Sequence, residues 1–269
     1  MSLLQRRHPR ILSLKNLRPA LFLKPHQAES LRKARPGDTS STMNRVKFLC
    51  AVAMLQGWLF SHALAGEISA AGEKLSAFLD GLGVEQHWIA GQHVDWRTGD
   101  PDGKPVSESG AHSHCSVFAA SACERLGIYL LRPPAHGQLF LANAQYDWLR
   151  EKGAESGWSA IDDPVEAQKH ANRGDLVMAV FKAPEGQHGH IAIIRPSTKS
   201  TAEIEQNGPE ETQAGIENFR DTTVKNGFKH HPSAWKDHKI AFFWHAVSSF
   251  PASSSSALSP STTGSKPGG

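Results

Sequence analysis

The chain has 269 residues with 29 Lys and Arg against 26 Asp and Glu, and only three cysteines, which excludes a small disulfide-stapled scaffold. Residues 1–42 hold 9 of those basic residues and 2 of the acidic ones, and residues 43–65 hold two more basic ones; this leaves 18 basic against 24 acidic residues from 66 onward, a balance of −6. The basic excess therefore belongs to the first 65 residues and gives no support for nucleic acid as a partner.

Residues 1–42 are rich in Arg, Lys, Pro and Ser without a sustained apolar period, so they are read as a basic extension, disordered or untranslated, that does not join the fold. At Met43 a new pattern starts. Arg45 and Lys47 precede the apolar run Phe48–Phe60, and Ala63-Leu64-Ala65 precedes Gly66, the three parts of a secretory signal with cleavage after Ala65. The run is too short to span a bilayer and no spanning segment follows it, so export to a periplasm or the medium is expected, without stable membrane insertion. Cys50 leaves with the signal. Residues 66–250 are long enough for one domain with a substantial core, and 251–269, made of Ser, Thr, Pro and Gly, read as a disordered tail.

Within the domain the spacing of Leu75, Phe78 and Leu79 predicts a helix over 68–79 closed by Gly81 and Gly83. Residues 91–114 carry glycines and prolines with almost no period and read as a long irregular approach. A helix then opens at Ser113-His114-Cys115, with Ser113 as its cap, an apolar stripe of Val117, Phe118, Ala122 and Leu126, and Gly127 as its stop. Further helices are expected over 141–152 and after Asp163, where Pro164 takes the favoured first position. Strands are expected over 175–181, 190–195, 201–207 and 239–247. Helices first and an antiparallel sheet afterwards argue for an α+β domain.

Cys115 and Cys123 lie eight residues apart in one helix, about 12 Å at 1.5 Å per residue, too far for a disulfide. Cys123, in Ala-Ser-Ala-Cys, reads as a small buried residue. Cys115 stands at a helix start, where the first N–H groups favour a thiolate, and a histidine, His190, opens the later apolar strand Gly189-His190-Ile191-Ala192-Ile193-Ile194. A thiol and then an imidazole in this order is the pattern of a cysteine hydrolase, although a lone helix cysteine can equally be packing, and His188 competes with His190 as the base.

Cys115 at its helix start, then Gly174-Asp175-Leu176-Val177, then Gly189-His190-Ile191-Ala192-Ile193, then Glu205-Gln206-Asn207 resembles the CHAP amidases, whose superfamily includes the NlpC-type cell-wall peptidases. The likeness covers roughly 115–207. It implies a papain-like core with the nucleophile helix packed on a small antiparallel sheet, no cofactor, and cleavage of amide bonds in peptidoglycan stem peptides. It also implies Cys115 as nucleophile, His190 as general base, and Asn207 or Glu205 as the group that orients His190; residues 205 and 207 of a strand would share a face. The backbone N–H of Cys115, with His114 or Gln92, would then receive the oxyanion. The run Thr212-Gln213-Ala214-Gly215 lies outside the motif and could line the cleft.

Rival readings stand beside this one. A transglutaminase-type acyltransferase would share Cys and His in the same order and differ only in the acceptor. Twelve of the 15 histidines follow residue 65, which raises a non-catalytic metal-binding role, although no H-E-x-x-H or paired C-x-x-C is present. Asp95, Asp100 and Asp102 hint at a calcium loop but read better as a solvated turn. The Asn143–Trp148 stretch and Arg132-Pro133-Pro134 suit sugar or peptide contact or a plain surface helix, and the tryptophans suit core packing.

Overall fold

Ser69, Asp163 and Ser200 each offer a side-chain oxygen to the first N–H groups of a helix, and three helices start there. The computed structural model of the protein describes residues 66–106 and 113–251. Helix α1 (Ala70–Gly81) begins with the Gly72 N–H donating to Ser69 Oγ at 3.1 Å and buries Leu75 and Leu79. Helix α2 (Cys115–Arg125) is buried throughout from Cys115 to Cys123, because Ala119, Ala120, Ser121 and Ala122 are small enough to let neighbours approach on every side. Helix α3 (Leu141–Glu151) continues into a 3₁₀ turn (Gly153–Ser156) and strand β1 (Ser159–Ile161). In α4 (Pro164–Arg173), Pro164 and the Asp163 carboxylate, which accepts from the Val165 N–H at 2.7 Å, set the start, and Gly174 at φ 93° ends it.

The second half alternates strands with short helices: β2 (Leu176–Phe181), β3 (His190–Ile194), α5 (Thr201–Asn207), β4 (Glu210–Gln213), β5 (Phe219–Thr223), α6 (Val224–Gly227), α7 (Pro232–Lys236) and β6 (Ala241–His245). The strands form one open six-stranded sheet, in the order β1-β6-β2-β3-β4-β5 and antiparallel at every step. The α+β class is thus observed. Strands β2 and β3 have no exposed residue on either face, so the middle of the sheet is covered on both sides. Helices α2 and α3 pack on β2, β3 and β4, while α4 packs on β1, β2, β3 and β6 and holds α1 against itself. All described residues belong to one unit.

Three sequence expectations change. Residues 201–207 form a helix and no strand: Ser200 and Glu203 make a reciprocal capping box, and Ile204 is the only residue of the segment buried. Ser113 does not cap α2; His114 takes that position without a side-chain cap bond. Strands β4 and β5, which the apolar pattern does not reveal, complete the sheet. The extension 1–42, the signal segment 43–65 and the tail beyond Pro251 lie outside the described residues. No described helix is long and apolar enough to cross a membrane.

Candidate active site

Helix α2 ends its N-terminal side against β3, and this packing brings Cys115 beside the peptide that joins His190 to Ile191. The thiol is 4% exposed. Burial pushes it up to about 11, although the backbone N–H groups of Ile191, Ser116 and Cys115 itself all point at the sulfur and favour its charged form. Cys123, fully buried further along the helix, is raised too, again by burial, and no disulfide joins the two.

His190 opens β3 opposite Phe181 and is 6% exposed. Its Nε2–H donates to Gln213 Oε1 at 2.5 Å, and Gln213 Nε2 in turn donates to the Glu217 carbonyl at 3.2 Å. Glu217 O can only accept, so the carboxamide must turn its oxygen toward His190, and the imidazole carries its hydrogen on Nε2 and leaves Nδ1 free to accept. Burial pulls His190 down to about 4; the bond to Gln213 opposes this, and the neighbouring His231 and His230 add to it. Phe228 packs edge-on against the ring at 4.6 Å and His231 stacks at 5.9 Å between centroids. The thiol and the imidazole are therefore both neutral near pH 7.

The side chain hydrogen-bonded to His190 is Gln213, and neither Asn207 nor Glu205 bonds to it. Because 201–207 is helical, Glu205 points to solvent and Asn207 Oδ1 accepts from Lys225 Nζ at 3.4 Å. The sequence does place Gln213 in the run that departs from the motif, but β4 is four polar residues long and no apolar alternation marks it as a strand.

A cavity of about 580 Å³ opens over this group, lined among others by His114, Gln138, His188, His190, Gln213 and His231. His114 is anchored by its Nε2 on the Gln92 carbonyl at 2.9 Å, which engages that ring nitrogen. His188, the rival base, is exposed at the rim and stacks on Phe140 at 4.6 Å. Among the described residues no group of three His, Cys, Asp or Glu is placed to hold a metal ion. The aspartates of the 95–102 loop are used locally: Asp95 accepts from the Arg97 and Thr98 N–H groups, Asp100 pairs with His87, and Asp102 pairs with His93 and Lys104.

Other residues singled out from sequence have structural work. Asn143 donates to the Gln187 carbonyl at 2.9 Å and accepts from the Ala183 N–H at 3.0 Å, which clamps the β2–β3 loop that carries His188 and Gly189. Gln145 donates to the Ser116 and Leu131 carbonyls at 3.0 and 2.9 Å and fixes the first turn of α2. Arg132 lies over the Trp96 and Tyr129 rings, and Trp88 and Trp158 are core.

Gly189 explains why a glycine precedes His190. A Cβ there would collide with Asn143 Oδ1 and the Phe181 carbonyl, both of which are held by hydrogen bonds or the sheet. Gly189→Ala is expected to cost about 1–3 kcal/mol by overpacking, read as a lower midpoint in urea with an unchanged slope. An unchanged midpoint would mean that the loop yields freely and does not set the position of His190.

Comparison with family models returns no match, and comparison with curated proteins returns none either.

Proposed function

We propose that the protein is an exported cysteine hydrolase that cleaves amide bonds of peptidoglycan stem peptides on a papain-like core of the CHAP and NlpC type. The observation that carries this reading is that the helix-start thiol lies against the Ile191 N–H of β3, while the preceding residue, His190, lines the cavity with its tautomer fixed by Gln213. A buried imidazole left with Nδ1 as its acceptor, on the residue just before the Ile191 N–H that meets a buried neutral thiol, has little value for packing alone.

In this mechanism His190 Nδ1 takes the Cys115 proton as the sulfur attacks the substrate carbonyl, and the carbonyl oxygen gains the negative charge. First-turn N–H groups of α2 stabilise that charge. Collapse of the tetrahedral species breaks the C–N bond, His190 gives its proton to the leaving amine, and a thioester remains on Cys115. Water, deprotonated by His190, then attacks the thioester, releases the acid and returns the thiol. Transfer to an amine would use the same thioester and differ only in this last attack. The signal at 43–65 delivers the enzyme to the periplasm or the medium, where this polymer is found.

Digestion of purified sacculi by the protein and by its Cys115→Ala variant tests the reading. Soluble fragments are expected from the wild type alone, and their masses identify the bond. Release by both proteins, or by neither, overturns the assignment of Cys115 as a peptidoglycan hydrolase nucleophile.

A further inference from the structure

Among the described residues, Glu211 is the one buried carboxyl group near the site that the mechanism does not use. It lies in the middle of β4, opposite Ile194 on one side and Thr222 on the other, with no solvent exposure, and neither of its oxygens has a hydrogen-bond partner among the described residues. The nearby cations are occupied elsewhere. Lys199 pairs with Glu210, and Arg195 donates to Asp80, to the Arg220 carbonyl and to Thr212. An ionised carboxylate with no donor and no cation around it would be costly to keep in such a place. Burial, reinforced by the charge of Glu210, holds this carboxyl well above the usual range and favours its neutral acid form.

A neutral acid has a hydrogen to donate, and the structure says where it can go. A Cβ added to Gly227 would fall on Glu211 Oε1 and lie 2.8 Å from Gln213 Oε1, so the two oxygens are neighbours across the space that this glycine leaves open. Two bare acceptor oxygens facing one another repel; with a hydrogen on one of them they attract. We infer that Glu211 is a positioning residue: its carboxyl hydrogen is donated to Gln213 Oε1 and locks the carboxamide in the orientation that accepts from His190 Nε2. The inference rests on the reading of His190 as the base. The amide is then fixed at both ends, by Glu211 at its oxygen and by the Glu217 carbonyl at its nitrogen. A flipped amide would turn its NH₂ toward His190, favour hydrogen on Nδ1 and leave no acceptor for the thiol proton.

The test uses the full-length protein labelled at histidine nitrogen and glutamate carboxyl carbon, followed by NMR at pH 7. The wild type is expected to show His190 as a single Nε2–H tautomer and one glutamate carboxyl signal, assigned to Glu211, at the shift of a neutral acid. Glu211→Gln, whose NH₂ can still donate to Gln213, is expected to keep the tautomer and to hold kcat within about threefold. Glu211→Met, which cannot donate, is expected to give a tautomer mixture and about a tenfold lower kcat at unchanged KM, the size of one lost hydrogen bond. A carboxylate shift for Glu211 at pH 7, or a single Nε2–H tautomer in Glu211→Met, overturns the inference. The wild-type shift decides even where Glu211→Met does not fold. The tautomer readout needs no substrate, so a protein inactive on sacculi would sink the proposed function and leave the assignment of Glu211 to be decided separately.

Discussion

Alkylation of Cys115 by iodoacetamide is expected to be slow at pH 7 and to accelerate about tenfold with each pH unit until the pH nears 11, because only the thiolate reacts. The sign follows from the shift: burial raises the thiol to about 11, so the reactive form is scarce at neutrality and grows as protons are removed. At pH 7 the thiolate fraction is on the order of one in ten thousand, against about one in a hundred for a thiol at the unshifted value of 9.0. His190 cannot rescue it electrostatically. Pulled down to about 4, it carries no charge at pH 7, so the resting pair is a thiol and an imidazole rather than a thiolate and an imidazolium.

Peptide mass spectrometry after timed exposure measures this, and Cys123, fully buried, serves as an internal unreactive thiol. Fast alkylation that stays flat between pH 5 and 9 would show a preformed ion pair and refute the neutral resting state. In the proposed mechanism the neutral pair requires proton transfer to accompany the attack on the carbonyl, and kcat/KM should fall on the acid side only as His190 becomes protonated near pH 4.

How far the sequence reaches can be judged residue by residue. Elements with strong local chemistry are legible: Pro164 after Asp163 marks the start of α4, and the wholly apolar 176–181 and 191–194 segments mark the two central strands. The relation of Cys115 to β3 is also anticipated, because a helix-start thiol and a strand-start imidazole have a recognisable order. The side chain that bonds His190 is not. Gln213 reaches it from a strand whose residues Glu211, Thr212 and Gln213 are all polar and all buried, the reverse of the pattern by which strands are recognised. These residues are tolerated inside because Thr212 donates to the Arg220 carbonyl at 2.6 Å and Gln213 is satisfied at both ends of its amide. Such partners come from segments distant in sequence, so nothing local announces them. Residues 201–207 fail for the opposite reason: the local signal, Ser200 followed by Glu203, is the capping box of a helix, and it outweighs the alternation that reads as a strand.

The sharpest functional contrast lies between His190 and the residues first expected to orient it. His190→Ala is expected to lower kcat on sacculi by about 10²–10⁴-fold, the usual worth of a positioned general base, and to cost about 1–3 kcal/mol of stability because it leaves Gln213 Oε1 buried without its donor. Gln213→Ala should lower kcat by about 10–100-fold with KM nearly constant, since the imidazole keeps its place in β3 but loses the acceptor that holds its hydrogen on Nε2. Asn207→Ala and Glu205→Ala should leave kcat within about twofold, because an exposed or Lys225-bound side chain on α5 touches no reacting group. Release of labelled fragments at saturating sacculi, with KM measured separately, distinguishes these outcomes. A large loss in Asn207→Ala together with full activity in Gln213→Ala would overturn the role of β4 and return the orienting function to the segment 205–207. The reverse pattern makes Gln213 the third working residue, and it ties catalysis to a strand built from polar side chains, three of the four buried.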